Sequence, residues 1–204
     1  MLLDGGARTD IATTSQKWTA LDEAAGGGHI EVVKVLLGRG ITRAIDAATG
    51  ASLQWTALHK AASGGHIEVV KVLLDRTAST DATTSQKWTT LDEATGGGYS
   101  DIEVVKELLG NGASIDNKSH RKWEWAALHL AAMGGQIEVV ELLLDRGASI
   151  DATNSEDWSA LHWAAKGAIL RLWKCYWAGA QAFILPAGRQ LHSIRQLKEA
   201  MLGS

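Results

Sequence analysis

The chain has 204 residues, a formal net charge of −3, a pI near 6.2 and one cysteine, Cys175. This charge balance gives no electrostatic reason to expect nucleic acid or an anionic membrane as a partner. One cysteine excludes an internal disulfide, Met1 to Asp4 lack the features of a secretory signal, and no apolar run approaches the roughly 20 residues that cross a bilayer. We therefore expect an intracellular protein of the cytoplasm or nucleus.

Five near-identical phrases, each opened by a tryptophan, divide the chain. Successive tryptophans are 37, 33, 37 and 33 residues apart, and a fixed period in this range predicts a solenoid of stacked units instead of one globular core. The phrases are Trp18-Thr19-Ala20-Leu21-Asp22, Trp55-Thr56-Ala57-Leu58-His59, Trp88-Thr89-Thr90-Leu91-Asp92, Trp125-Ala126-Ala127-Leu128-His129 and Trp158-Ser159-Ala160-Leu161-His162.

Each unit contains the signals for two short helices. In the copy that begins at Trp55, Thr56 is placed to cap the first helix, and Gly64-Gly65 ends it. A second helix follows, with an apolar face from Ile67 to Leu74. Helices this short are marginal alone, so neighbouring units must supply the burial. The predicted pairs are Ala20–Gly26 with Ile30–Leu37, Ala57–Ser63 with Ile67–Leu74, Leu91–Thr95 with Ile102–Leu109, and Ala127–Met133 with Ile137–Leu144.

The unit resembles the ankyrin repeat, and the resemblance covers at least Trp18 to Gly167. It is carried by the phrase Trp55-Thr56-Ala57-Leu58-His59, the turn Gly65-His66, the run Val69-Val70-Lys71-Val72-Leu73-Leu74 and the segment Gly147-Ala148-Ser149-Ile150-Asp151. It implies an all-α solenoid of stacked helix–turn–helix repeats joined by hairpin loops. Two features depart from the family pattern. Ala or Thr replaces the phrase proline, and the glycine expected before each tryptophan is Lys17, Gln54, Lys87, Glu124 or Asp157.

The resemblance divides the chain into a partial N-terminal repeat (1–17), four ankyrin-like repeats (18–54, 55–87, 88–124 and 125–157) and a degenerate repeat with a divergent tail (158–204). The extra residues of the longer copies fall in loops, where insertions cost little. Because neither end carries the polar face of a capping repeat, we expect a monomeric piece of a longer array with an aggregation-prone end.

The tail after Gly167 abandons the repeat pattern, and two explanations stay open. One is a single-nucleotide frameshift. A gene for the ordinary repeat KGGHIEVVEMLLGRGASIH, written with suitable synonymous codons and one G removed, encodes KGAILRLWKCYWAGAQAF, which is Lys166 to Phe183 without a mismatch. The other is an evolved hydrophobic end helix. In either case we expect the helix from Ala160 to run on through Ala168 toward Tyr176, since no strong helix breaker intervenes before Gly179.

Catalytic chemistry leaves little trace in the sequence. In the family that the chain resembles, the phrase histidine bonds the residue at the helix start and the loop, so His59, His129 and His162 are expected to be structural. The run Gly26-Gly27-Gly28-His29 lacks the lysine and hydroxyl residue of a phosphate loop. No metal-ligand spacing occurs. We expect no enzyme activity, catalytic residue, metal or cofactor.

Two rows of residues are candidates for partner binding, because the resemblance places them on the concave side. The first, here called the tryptophan row, is Trp18, Trp55, Trp88, Trp125 and Trp158; the second, here called the helix row, is Glu23, Lys60, Glu93, Leu130 and Trp163. Tryptophan is common at interface hot spots, but uniform tryptophans could equally pack on neighbouring hairpins and stiffen the stack. Two further groups are Met133, beside Leu130 and Trp163, and the hairpin tip with Arg121 and Trp123.

The leading functional hypothesis is a protein–protein interaction module that holds a protein or peptide on its concave face. A second is a truncated or frameshifted product without its own partner. A third is the scaffolding part of a larger signalling protein or enzyme. The full-length gene sequence would separate the second and third from the first.

Overall fold

A computed structural model of the chain describes residues 17–38, 45–50, 53–96, 101–119 and 123–177, with the backbone alone for 169–177. The predicted helix pairs are confirmed, and each second helix ends one residue later than predicted. The residues of the partial first repeat before Lys17 and those of the tail after Trp177 lie outside this description. The described helices are α1 (Ala20–Gly26), α2 (Ile30–Gly38), α3 (Ala57–Ser63), α4 (Ile67–Asp75), α5 (Thr90–Gly96), α6 (Ile102–Gly110), α7 (Ala127–Gly134), α8 (Ile137–Asp145) and α9 (Ala160–Trp177).

Reciprocal hydrogen bonds begin the first helix of a unit. The backbone N–H of Asp22 donates to Thr19 Oγ1 at 3.3 Å, and the backbone N–H of Thr19 donates to Asp22 Oδ2 at 2.8 Å. This capping box satisfies two backbone donors that a helix start otherwise leaves free. In α7 the capping hydroxyl is missing because Ala126 stands in its place, and the N–H of Ala126 donates to His129 Nδ1 at 3.1 Å.

A left-handed glycine joins the two helices of a unit. Gly28 and Gly65 both have a φ of +69°. A Cβ at Gly28 would lie 2.7 Å from His66 Nδ1, and His66 Nε2 donates to the carbonyl oxygen of Gly26 at 2.9 Å. Glycine at this turn therefore lets the histidine of one unit bond the turn of the unit before it.

The first helices of successive units pack more extensively on one another than the second helices do. The first helices bury alanines, such as Ala25, Ala61 and Ala131, whereas the second helices bury larger residues, such as Val69 and Leu73. Because smaller side chains allow helix axes to approach more closely, the row of first helices lies on the inside of the curve. Helices α1, α3, α5, α7 and α9 therefore line the concave face.

A tight hairpin precedes each described first helix after α1. Its β-type contacts in the described residues are isolated antiparallel bridges, which pair Thr49 with Trp55, Thr83 with Thr89, Ser119 with Trp125 and Thr153 with Ser159. The residue before every tryptophan of the row is left-handed, with φ between +50° and +69°: Lys17, Gln54, Lys87, Glu124 and Asp157. The hairpins thus keep a conformation that favours glycine, at a cost to each residue that carries a Cβ.

The last helix runs from Ala160 through Ala168 to Trp177, as the sequence predicts. It packs along α7, and Gly167 makes this possible: a Cβ there would overlap the carbonyl oxygen of Met133. The contact between α7 and α9 is the most extensive between any two described helices. Even α9 falls short of a membrane span, and so does every other helix in the described part of the chain.

Candidate partner-binding surface

An open groove of about 1030 Å³ crosses the concave face between α1 and α3. Ala20, Glu23 and Ala24 line it from α1, and Trp55 and Lys60 line it from the next unit. Its volume is at the upper end of the range, about 300–1,000 Å³, of clefts that hold ligands. Its remaining lining residues, near the turns, are Gly26, Gly27, His29, Val32, Ser63 and Gly64.

Lys60 joins both candidate rows at this groove. Its Nζ donates to Glu23 Oε1 at 3.1 Å and lies 3.7 Å from the ring centroid of Trp18. The Lys60 side chain is 14% exposed, compared with 56% for that of Glu23. A partly desolvated ammonium group is stabilised by both an opposite charge and an aromatic face. The carboxylate of Glu23 and the ring of Trp18 therefore bind a cation of the chain itself, the ammonium group of Lys60.

The tryptophans are partly buried between units, which favours a packing role for part of each ring. The Trp55 ring centroid lies 6.4 Å from that of His59. Trp88 lies beside Gly96, where a Cβ would be 3.0 Å from the ring of Trp88 and 3.6 Å from Cδ1 of Leu130. Each tryptophan thus supports its own first helix or the next one and still exposes part of its surface.

An aromatic cluster closes the last described unit. The Trp163 ring lies between those of Trp125 and Trp158, with centroid distances of 4.5 and 4.9 Å. Lys166 Nζ stands 4.6 Å from the Trp163 ring and 4.9 Å from the Trp158 ring. Tilted aromatic pairs of this kind, with a cation over their faces, stabilise packing beyond the area that they bury.

Two residues of the helix row are not on the surface where they were expected. Leu130 is 1% exposed and Trp163 is 5% exposed. The physical reason is α9: it lies along α7, so the Trp163 ring fills the space between hairpins. Met133, which we grouped with them, is partly buried, and its carbonyl is covered by Gly167. The accessible part of the helix row is therefore Glu23, Lys60 and Glu93.

Glu93 differs from the other charged members of the row. It is partly buried, and no hydrogen bond or ion pair joins its side chain to another described residue. Burial, and secondarily the charge of Asp92, raises the pKa of Glu93 to about 7. Burial also raises the pKa of Asp92 to about 6, although Thr89 donates to its carboxylate from both the backbone N–H (2.8 Å) and Oγ1 (2.7 Å).

The phrase histidines make the structural hydrogen bonds that we expected. His59 Nδ1 bonds Thr56 Oγ1 at 2.8 Å, and His59 Nε2 lies 3.3 Å from the carbonyl of Trp88. Burial lowers the pKa of His59 to about 4, so the imidazole is neutral at physiological pH. His129 bonds the carbonyl of Ala152 at 3.0 Å, and burial lowers its pKa as well. The exposed His162 bonds Ser159 Oγ at 2.9 Å.

The hairpin tip is only partly described, since Arg121 lies outside the described residues. Trp123 is partly buried, and its carbonyl accepts from the backbone N–H of Ser155 at 3.1 Å, which links successive hairpins. The groove residues that we did not predict are mainly Ala20 and Ala24. The spacing of four residues along α1 was the available signal, because it places both on one helix face.

Comparison with protein families agrees with this geometry. A model of three tandem ankyrin repeats matches residues 41–119 and again 94–172, and a model of the single ankyrin repeat matches residues 16–49. The chain therefore belongs to the ankyrin-repeat family. No curated protein matches the chain. Ankyrin repeats are generally protein–protein interaction modules, and the family is typically non-catalytic.

Proposed function

We propose that this ankyrin-repeat chain is a non-catalytic interaction module, which holds a protein or an extended peptide on its concave face. The observation that carries the proposal is the open groove of about 1030 Å³ between α1 and α3. It combines the small side chains of α1 with an aromatic ring, Trp55, and an ion pair, Lys60 with Glu23. Interfaces commonly combine aromatic anchors with polar groups in this way.

The variation of side chains between units supports a binding site on the concave face, not on the outer face. Three outer helices, α2, α4 and α6, repeat the same exposed ion pair, Lys34 with Glu31, Lys71 with Glu68 and Lys106 with Glu103, at 2.7–3.2 Å. In contrast, the helix row changes from Glu to Lys, Glu, Leu and Trp along the array. A surface that changes from unit to unit can distinguish partners, whereas a uniform one distinguishes poorly.

The described side chains support binding more than catalysis. The histidines nearest the concave face are engaged in hydrogen bonds that position helix starts and hairpins. Among the residues whose side chains are described, no group of three or more His, Cys, Asp or Glu could hold a metal ion.

The test is to select peptides from a random library on the immobilised full chain and to measure their affinity for variants. Ala20→Arg places a bulky side chain in the groove at an exposed position, and Trp55→Ala removes an aromatic wall. Each should weaken binding by about tenfold or more, which corresponds to about 1.4 kcal/mol. Lys71→Ala, on the outer helix α4, should leave the affinity unchanged.

Equal affinities for all three variants would contradict the concave site and direct attention to the hairpin tip at Arg121 and Trp123. Circular dichroism of each variant checks that α-helix content is retained. A selection that enriches no peptide would contradict the proposed function itself.

A further inference from the structure

The chain contains its own example of how its concave face binds a cation. Lys60 Nζ is held by the carboxylate of Glu23 at 3.1 Å and by the ring of Trp18 at 3.7 Å. Trp18 and Glu23 belong to one unit, whereas Lys60 is the helix-row residue of the next unit. A carboxylate and an aromatic ring from one repeat thus receive an ammonium group that comes from outside that repeat.

The third unit repeats the aromatic and carboxylate residues of this arrangement, but the unit after it has no lysine at the position of Lys60. The segments Lys17 to Ala24 and Lys87 to Ala94 differ at one position only, so Trp88 and Glu93 stand at the sequence positions of Trp18 and Glu23. Their helices begin alike, since Asp92 accepts from Thr89 as Asp22 does from Thr19. The residue that corresponds to Lys60 is Leu130, which is buried and carries no charge.

No cation of this chain reaches Glu93 in the described residues. Lys60, its neighbour in the helix row, is committed to Glu23 and Trp18. Lys166 lies over Trp158 and Trp163. Glu93 is partly buried, and this burial raises its pKa to about 7, as expected for a carboxylate without a compensating positive charge. A cation supplied from outside would offset that desolvation.

We propose that Glu93 is the docking point for a lysine or arginine side chain of a peptide held on the concave face. This inference rests on the function proposed above and specifies the chemistry of the partner. Trp88, which is partly buried beside Gly96, provides an apolar surface for the methylene stem of such a side chain. The net charge of −3 also favours a basic segment over an acidic one.

The experiment selects peptides from one random library on the wild-type chain, Glu93→Gln and Glu103→Gln, and sequences the enriched pools. Glu103 is an exposed glutamate of the outer helix α6, paired with Lys106, so its substitution changes the net charge equally. We expect lysine or arginine to be enriched at one fixed peptide position on the wild type and on Glu103→Gln, and not on Glu93→Gln. Individual basic peptides should bind Glu93→Gln about tenfold more weakly.

Reversing the charge at position 93 tests the inference by a new peptide preference, which a loss of affinity alone would not produce. Glu93→Lys should shift the preference at the same peptide position to aspartate or glutamate, provided that circular dichroism shows unchanged helix content. This inference would be overturned if the enriched peptides had no preference for lysine or arginine at one position, or if that preference persisted on Glu93→Gln. The proposed function would still stand in either case. A library that enriches nothing on the wild type would overturn both.

Discussion

A substitution of Thr77 would measure the energetic cost of a left-handed backbone conformation in this chain. It follows α4 at the position that Gly112 and Gly147 occupy in the next two units, and its φ is +65°, compared with +86° and +91° for the glycines. The turn is otherwise the same. The N–H of Thr77 donates to the carbonyl of Leu74 at 2.8 Å, just as that of Gly147 does to Leu144 at 3.0 Å.

The expected gain from Thr77→Gly can be worked out from this geometry. A left-handed conformation costs a residue with a Cβ about 1–2 kcal/mol, and β-branched threonine stands at the upper end. Glycine returns about 0.5–1 kcal/mol of this through the entropy of the unfolded chain. The Thr77 side chain is exposed, and no hydrogen bond from its hydroxyl to a described residue is lost. We expect Thr77→Gly to stabilise the chain by about 1 kcal/mol.

The reverse exchange, Gly147→Thr, is the matched control. A Cβ at Gly147 would meet no atom within 4 Å, so the cost there is backbone strain alone. It should destabilise the chain by about 1 kcal/mol. Urea unfolding followed by tryptophan fluorescence and by circular dichroism measures both changes as shifts of the midpoint at constant slope. No gain from Thr77→Gly together with no loss from Gly147→Thr would refute the argument from left-handed strain.

Two further predictions concern Glu93 and the tail. Burial raises the pKa of Glu93 from 4.5 to about 7, so the folded state binds this proton more tightly than the unfolded state does. The free energy of unfolding should therefore fall as the pH rises from about 4.5 to about 7. Urea titrations across this pH range measure the effect. Glu93→Gln should remove the loss of stability caused by Glu93 and keep the loss caused by Asp92, which occurs below about pH 6. Identical pH profiles for the wild type and Glu93→Gln would contradict the raised pKa of Glu93. Restoring one G in the codons at Gly167, to encode Gly-Gly-His-Ile-Glu-Val-Val, should raise solubility and sharpen unfolding; native codons incompatible with the second reading frame would contradict the frameshift hypothesis.

The sequence was sufficient for the features of this fold that depend on short-range interactions. The tryptophan phrases predicted the repeats, and the Thr19 and Asp22 pair predicted a capped helix start that the structure shows at 2.8 Å. The helix bounds followed from apolar spacing and from glycines, and they were correct to within a residue. Even the continuation of α9 past Gly167 followed from the lack of a strong helix breaker.

The tertiary structure decided which side chains of the concave face are accessible. Leu130 and Trp163 occupy the same repeat position as Lys60, yet they are buried: α9 of the following unit packs along α7, which carries Leu130, and the rings of Trp125 and Trp158 enclose that of Trp163. Whether Glu93 has a cation beside it depends on a residue 37 positions later, Leu130. Helix starts and turns arise from hydrogen bonds between residues a few positions apart, so the sequence indicates them directly. Burial and charge pairing arise between units, and the sequence of one unit does not show which side chains pack against it.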